Sequence, residues 1–297
     1  MLTSRLIKNN PEGIVKYHSG ENKYYYKQRP ADKDPTTPGP LEWIKVYGNL
    51  CPDLGLKPGQ SIDETTFTNL LQGRNVKGEK VTMKHKVHGI YLTFSAPKTV
   101  SIAGLVTDRN PTITQAHDEA VFETMKEIES KHSYVRPSST TRIKTNKMVW
   151  VTVRNGLSDC LDPHLHTHAI LMNICKGPKL TDKIMGMYTK EILVFGFNKA
   201  WGAVYRNKLA GKLKEAGYSI SNTEKGMWRL DNINQNIENE FSQRQKEIEK
   251  VKNKEYTYLH TWRITRKNKQ PNYTSEEIQS IWNKRLSGIT RNILKSR

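Results

Sequence analysis

Along residues 111–131, Ile113, Ala116, Ala120, Val121, Thr124, Met125 and Ile128 fall on one stripe at helical spacing. The pattern predicts an amphipathic helix whose stripe is core, with His117 packed at its edge. At 87–95 the period changes to two. Ile90, Leu92 and Phe94 alternate with Tyr91 and Thr93, which predicts a strand with one face buried. Pro97 ends that strand, and a helix can start there with Lys98 in its first turn. Further strands are expected at 140–145, 148–153 and 164–174, the last two joined through a hairpin-like turn at 155–159. A helix follows Ser61, with Glu64 three residues on, Phe67, Leu70 and Leu71 buried, and Gly73 closing it. Helical patterns recur at 188–217, 233–250 and 275–288. A small hairpin turning at Lys225-Gly226 lies between the first two. Residues 30–40, with Pro30, Pro35, Pro38 and Pro40, read as a loop, and Ser19 to Lys23 as a polar turn.

The strand at 164–174 carries more than packing. His164, His166 and His168 stand at every second position, so an extended chain projects all three from one face. Imidazole is the commonest metal-donating side chain, and the alternation predicts a divalent-metal site rather than a solvated polar edge. A second cluster lies near the start, where Tyr17-His18 precedes Tyr24-Tyr25-Tyr26. Such a cluster suits packing, base stacking or a phenolic nucleophile equally.

Composition narrows the partner. Of 297 residues, 48 are Lys or Arg against 29 Asp or Glu, a formal charge of +19, which favours a polyanion and nucleic acid first. No stretch approaches the ~20 apolar residues that span a bilayer. The cysteines Cys51, Cys160 and Cys175 are odd in number and far apart, which predicts no disulfide framework and a reducing, cytoplasmic compartment. No Gly-x-x-x-x-Gly-Lys-Ser/Thr loop is present, so nothing points to nucleotide hydrolysis. The chain ends on a basic segment, Ile293 to Arg297, as a fragment of a longer protein would.

Taken in order, Tyr17 with Tyr24-Tyr25-Tyr26, then Leu92-Thr93-Phe94-Ser95-Ala96-Pro97-Lys98-Thr99-Val100-Ser101, then Asp162-Pro163-His164-Leu165-His166-Thr167-His168 resemble the relaxase domain of conjugative plasmids. This is the TrwC/TraI-type (MobF) class of the HUH endonucleases. Further matches lie at Gly202-Ala203-Val204-Tyr205 and from Leu209 to Tyr218, so the resemblance covers roughly residues 1–250.

The resemblance implies an α+β fold, a central antiparallel sheet flanked by helices. It implies a palm over 1–235 and a basic helical fingers segment over 236–297 that covers DNA. It implies a tyrosine that attacks single-stranded origin DNA, forms a 5′-phosphotyrosyl bond and releases a 3′-hydroxyl. Tyr17 would be the first nucleophile and Tyr25 or Tyr26 the second, with Tyr24 in the same cluster. One divalent ion, Mg or Mn with Zn or Ni as alternatives, would sit on His166 and His168. Lys98 and Arg154 are the candidate phosphate contacts. The implied partners are single-stranded and hairpin origin DNA and other transfer proteins, with the chain acting as a monomer.

The chain departs from that pattern twice. Eleven residues before His166, where the family has its third metal histidine, stands Asn155. Either His164 takes the vacated place or Asn155 supplies an amide oxygen. Two residues before Thr93, where the family has an orienting aspartate, stands Tyr91, a poor base at neutral pH. Asp159 and Asp162 are the candidate substitutes, and His18 beside Tyr17 is a further difference, either a local base or a residue that faces solvent. Two functions are therefore open: a metal-dependent tyrosine strand transferase, including a rolling-circle replication initiator with the same chemistry, or a DNA-binding module that kept the fold with attenuated catalysis.

Overall fold

The computed structural model of the chain describes residues 1–8, 11–25, 44–82, 86–177, 183–194, 196–251, 261, 264–265 and 273–295, with backbone alone for 19–25, 225 and 290–295. Its centre is an antiparallel sheet of β1 (Leu2–Ile7), β3 (Gly89–Ser95), β7 (Pro163–Lys176), β6 (Met148–Leu157) and β2 (Ile44–Tyr47) in that spatial order, with β8 (Ile184–Met185) added to the end of β7. β7 is the middle strand and its Ile170 to Met172 are buried, as a strand covered on both faces requires.

Alternation sorts the two faces. Ile90, Leu92, Phe94, Ala169 and Leu171 join one core with α4 (Pro111–His132) and α5 (Phe197–Glu215). Tyr91, Val151, Val153, Ile170 and Met172 face the other way and pack with Val15 of α1 (Pro11–Tyr25) and with Phe67, Leu70 and Leu71 of α2 (Glu64–Leu71). α3 (Lys98–Ile102) follows Pro97 directly and continues into a wider turn at Ala103–Thr107. The short pairs β4 (Tyr134–Val135) with β5 (Ile143–Lys144), and β9 (Ile220–Asn222) with β10 (Trp228–Leu230), lie outside the main sheet.

Several boundaries differ from the sequence reading. The polar turn expected at Ser19 to Lys23 lies inside α1, which Pro11 and Glu12 open with first-turn chemistry. Serine, glycine and asparagine each cost a helix at most about 1 kcal/mol, so their presence does not end it. Asp63, rather than Ser61, caps α2, accepting from Thr66 N at 2.7 Å. The helix expected over 188–217 divides: Gly196, at φ 86°, sits before α5 in the left-handed region that glycine reaches without strain. The expected turn at 155–159 moves forward, because β6 runs on to Leu157 and the chain turns over 158–162 instead.

The C-terminal part comprises α6 (Gln235–Glu240), α7 (Gln243–Val251) and α8 (Ser275–Lys295). Phe241, Ile278 and Trp282 belong to the same apolar core as the sheet. Among the described residues no helix is long and apolar enough to cross a membrane.

Candidate metal and nucleophile site

The histidines stand on the α1 face of β7, near its start. Ladder pairing sets His168 opposite Thr93 and Val153, and His166 opposite Ser95 and Asn155. His166 Nδ1–H donates to the His164 carbonyl at 2.7 Å; a carbonyl only accepts, so the bond fixes the tautomer. His166 Nε2 is therefore the bare lone pair, and it lies 3.1 Å from His168 Nε2. The far nitrogen of His168, Nδ1, is 3.3 Å from Thr93 Oγ1. Two imidazole nitrogens sharing one tetrahedral ion at metal–nitrogen distances near 2.0 Å would stand about 3.3 Å apart, so this pair fits a divalent cation. Burial first, then His166 and His18, push His168 well below the ordinary histidine range. The neutral form that a metal needs is thus the form the fold favours.

His164 does not join them as a third nitrogen. Its ring lies stacked on His166, 4.4 Å between centroids and 25° between planes, presenting a face rather than a lone pair. The register shift between Asn155 and Leu157 breaks the regular alternation next to it. What His164 contributes is the carbonyl that orients His166. Among the described residues no group of three or more His, Cys, Asp or Glu is placed to hold a metal ion. Asn155 is buried opposite His166, and its Oδ1 accepts from Gly156 N at 2.9 Å. An amide oxygen has a second lone pair, so Asn155 keeps the capacity to donate to a cation.

α1 crosses above this strand. His18 is fully buried, its Nε2 3.0 Å from the Tyr91 hydroxyl and its ring stacked on Tyr91 at 5.6 Å. Tyr17, one residue earlier and half-buried, meets His18 edge to face at 5.1 Å. The rings then continue from His18 to His168 at 5.0 Å, to His166 at 4.7 Å and to His164 at 4.4 Å. One row of rings thus joins the first candidate nucleophile to the candidate metal pair. Tyr24 and Tyr25 end α1, where only backbone is described, and Tyr26 lies outside the described residues.

Three other candidates are committed elsewhere. Lys98 Nζ donates to the Pro163 carbonyl at 3.0 Å; burial lowers its pKa, with Asp162 opposing. It clamps the start of β7 rather than reaching outward. Asp162 is fully buried: Oδ1 accepts from Arg285 Nη1 at 2.8 Å and Oδ2 from the Arg244 amide at 3.3 Å. Its carboxylate therefore ties α7 and α8 to the turn before the histidines instead of orienting an imidazole. Arg154 projects to the opposite face, paired with Asp118 of α4 at 2.5 Å beside a cleft of about 420 Å³.

Thr93 is the residue that sequence reasoning passed over. Its signal was the strand alternation, which put it on the Tyr91 face, but its partner depends on a register that one strand does not reveal. His117 is packed as expected, with Nδ1 2.6 Å from Tyr205 Oη and Nε2 2.8 Å from Thr167 Oγ1.

Residues 11–289 match the family profile described as TrwC relaxase. The chain is 28% identical over 199 residues to the multifunctional conjugation protein TraI of Escherichia coli strain K12. That match covers 63% of this chain and 11% of TraI, so the chain spans about a tenth of that relative's length. Among solved structures, the metal-bound conjugative relaxase TrwC in complex with oriT DNA superposes with a TM-score of 0.81 at 23% identity, over 98% of this chain and 99% of that one. TrwC complexed with a 27-mer DNA comprising the recognition hairpin and the cleavage site gives 0.79 with the same identity and coverage. At that identity the likeness establishes the fold.

Proposed function

The chain belongs to the TrwC relaxase family, and from that premise we propose that it nicks single-stranded DNA at a transfer origin and carries the cut strand as a 5′-phosphotyrosyl adduct, initiating conjugative transfer. The observation that supports this most is the unbroken row of rings from Tyr17 through His18 to the His168–His166 pair. Tyr17 Oη attacks the scissile phosphorus and loses its proton, the new O–P bond forms, and the P–O3′ bond breaks to release a 3′-hydroxyl. One ester replaces another, so no nucleotide cofactor is required and the strand can be rejoined. Tyr25 or Tyr26 serves the second transfer.

His166 and His168 would hold a divalent ion, and the Asn155 oxygen could add to them; imidazoles suit Zn or Ni, and an added amide oxygen suits Mg or Mn. Bound there, the ion supplies Lewis-acid polarisation of the phosphate. The net charge of +19 draws the DNA backbone in. The palm comprises 1–235, and the basic segment 236–297 closes over single-stranded and hairpin DNA. The chain works in the cytoplasm as a monomer alongside other transfer proteins.

The second reading, a DNA-binding module without strand transfer, is favoured by the lack of a third His, Cys, Asp or Glu ligand among the described residues. One experiment separates the two. A labelled random-sequence single-stranded oligonucleotide library is incubated with the protein and Mn²⁺, and adducts are resolved on a denaturing gel. A Mn²⁺-dependent adduct supports the transferase; DNA binding with no adduct selects the binding module.

A further inference from the structure

A histidine with no exposed surface and a tyrosine at 5% exposure share a hydrogen bond of 3.0 Å beneath α1. Burying two polar groups costs free energy unless each satisfies the other, and the mutual bond then fixes their geometry more tightly than apolar packing would. The pair is held from several sides. Phe67 of α2 lies 6.4 Å from the His18 ring, and the Arg5 guanidinium lies 4.4 Å from the Tyr91 ring centroid. Tyr91 also lies 5.2 Å from His168. β3 is locked to β7 through continuous pairing from Gly89 to Ser95, so Tyr91 is a fixed point relative to the histidines. α1 has no backbone ladder to that sheet, and its approach is set by side chains.

We propose that His18 and Tyr91 form a positioning pair, their buried hydrogen bond fixing the rotation and depth of α1 so that Tyr17 stands beside the His166–His168 pair. Tyr17 is the neighbour of His18 in the chain, so a rotation of α1 that breaks the His18 bond swings Tyr17 by the same angle. This rests on the reading of Tyr17 as the nucleophile.

The test is single-turnover adduct formation with an oligonucleotide recovered from the wild-type library experiment, at saturating Mn²⁺. Tyr91→Phe keeps the ring and removes only the hydroxyl. Its maximal rate is expected to fall about 10- to 100-fold, since a misplacement of about 1 Å can cost roughly 100-fold. The DNA concentration for half-maximal rate should stay at the wild-type value, and the melting temperature should fall by only a few degrees, because the buried His18 nitrogen loses this partner. His18→Phe should lose at least as much, and His18→Gln, whose amide can still bond the Tyr91 hydroxyl, should recover part of the rate. Wild-type rates in Tyr91→Phe would overturn the positioning role. So would a fall in rate matched by an equal loss in DNA affinity, which marks general structural support. Failure of the wild-type protein itself to form an adduct is seen before any variant is made, and it overturns the underlying functional reading together with this inference.

Discussion

Thr93 shows how much hangs on one hydroxyl. His166 is oriented by a backbone carbonyl that no substitution removes, whereas His168 depends on Thr93 Oγ1 at 3.3 Å. Outer partners of metal histidines are typically worth about 10–100-fold in affinity. Thr93→Val, which keeps the branched shape, should therefore weaken Mn²⁺ or Zn²⁺ binding by about that factor in calorimetry; unchanged affinity would mean that His168 needs no orienting partner. Asp162 is the residue-scale counterpart in stability. Arg285→Leu removes the hydrogen-bonded cation of a fully buried carboxylate and leaves Lys98 as its nearby charge, so it should cost about 1–3 kcal/mol in denaturant unfolding. At this scale the shared face of His166 and His168 was legible, because a period of two needs no tertiary information. The place of His164 was not, because a register shift and a stacked ring are properties of two strands together. The roles of Lys98 and Asp162 were hidden for a similar reason: their partners, Pro163 and Arg285, are remote in sequence.

Among the elements, long periodic segments were legible and short polar ones were not. The α4 stripe and the alternation of β3 appear in the structure as read. α1 did not announce itself, because Ser19, Gly20 and Asn22 carry turn propensity that the helix overrides. The extension of β6 to Leu157 mattered most, since it places Asn155 inside the ladder opposite His166 rather than in a turn.

α4 and α5 are joined by a ladder in which Lys212 pairs with Glu119 and Glu123, and Lys208 with Glu123 and Glu127. Hydrogen bonds from Lys212 hold Glu119 and Glu123 below the ordinary carboxylate range, and a bond from Lys208 does the same for Glu127. Depressed folded-state values mean that the contribution is present above the unfolded value, about 4.3, and is lost as pH falls through the folded value. Lys212→Met should therefore shift the acid-unfolding midpoint to higher pH and leave neutral stability within about 1 kcal/mol, these carboxylates being solvent-exposed. An unchanged midpoint would show that the ladder carries no acid stability.

For the whole molecule, charge predicted a polyanion partner but gave no direction, and the fold supplies one. α6 and α8 pack on the apolar core of the sheet through Ile237, Ile278 and Trp282, with Phe241 just after α6 in the same core, and Trp282 Nε1 donates to the Leu161 carbonyl at 2.7 Å. The basic C-terminal part is thus anchored at the turn that feeds the histidine strand. Such packing was illegible in a segment whose sequence is dominated by polar residues.

If that surface tracks a single-stranded backbone over about six phosphates, the logarithm of the binding constant should fall with the logarithm of salt at a slope near −4. Fluorescence anisotropy between about 50 and 200 mM salt measures it, and a slope near zero would exclude backbone-led binding. The site of covalent attachment identifies the nucleophile directly. Protein incubated with single-stranded DNA and Mn²⁺ is digested and the nucleotide-bearing peptide is identified by mass spectrometry. Attachment is expected at Tyr17, with its loss in Tyr17→Phe; attachment at any other tyrosine in the first turnover, or full adduct yield from Tyr17→Phe, would overturn Tyr17 as the nucleophile.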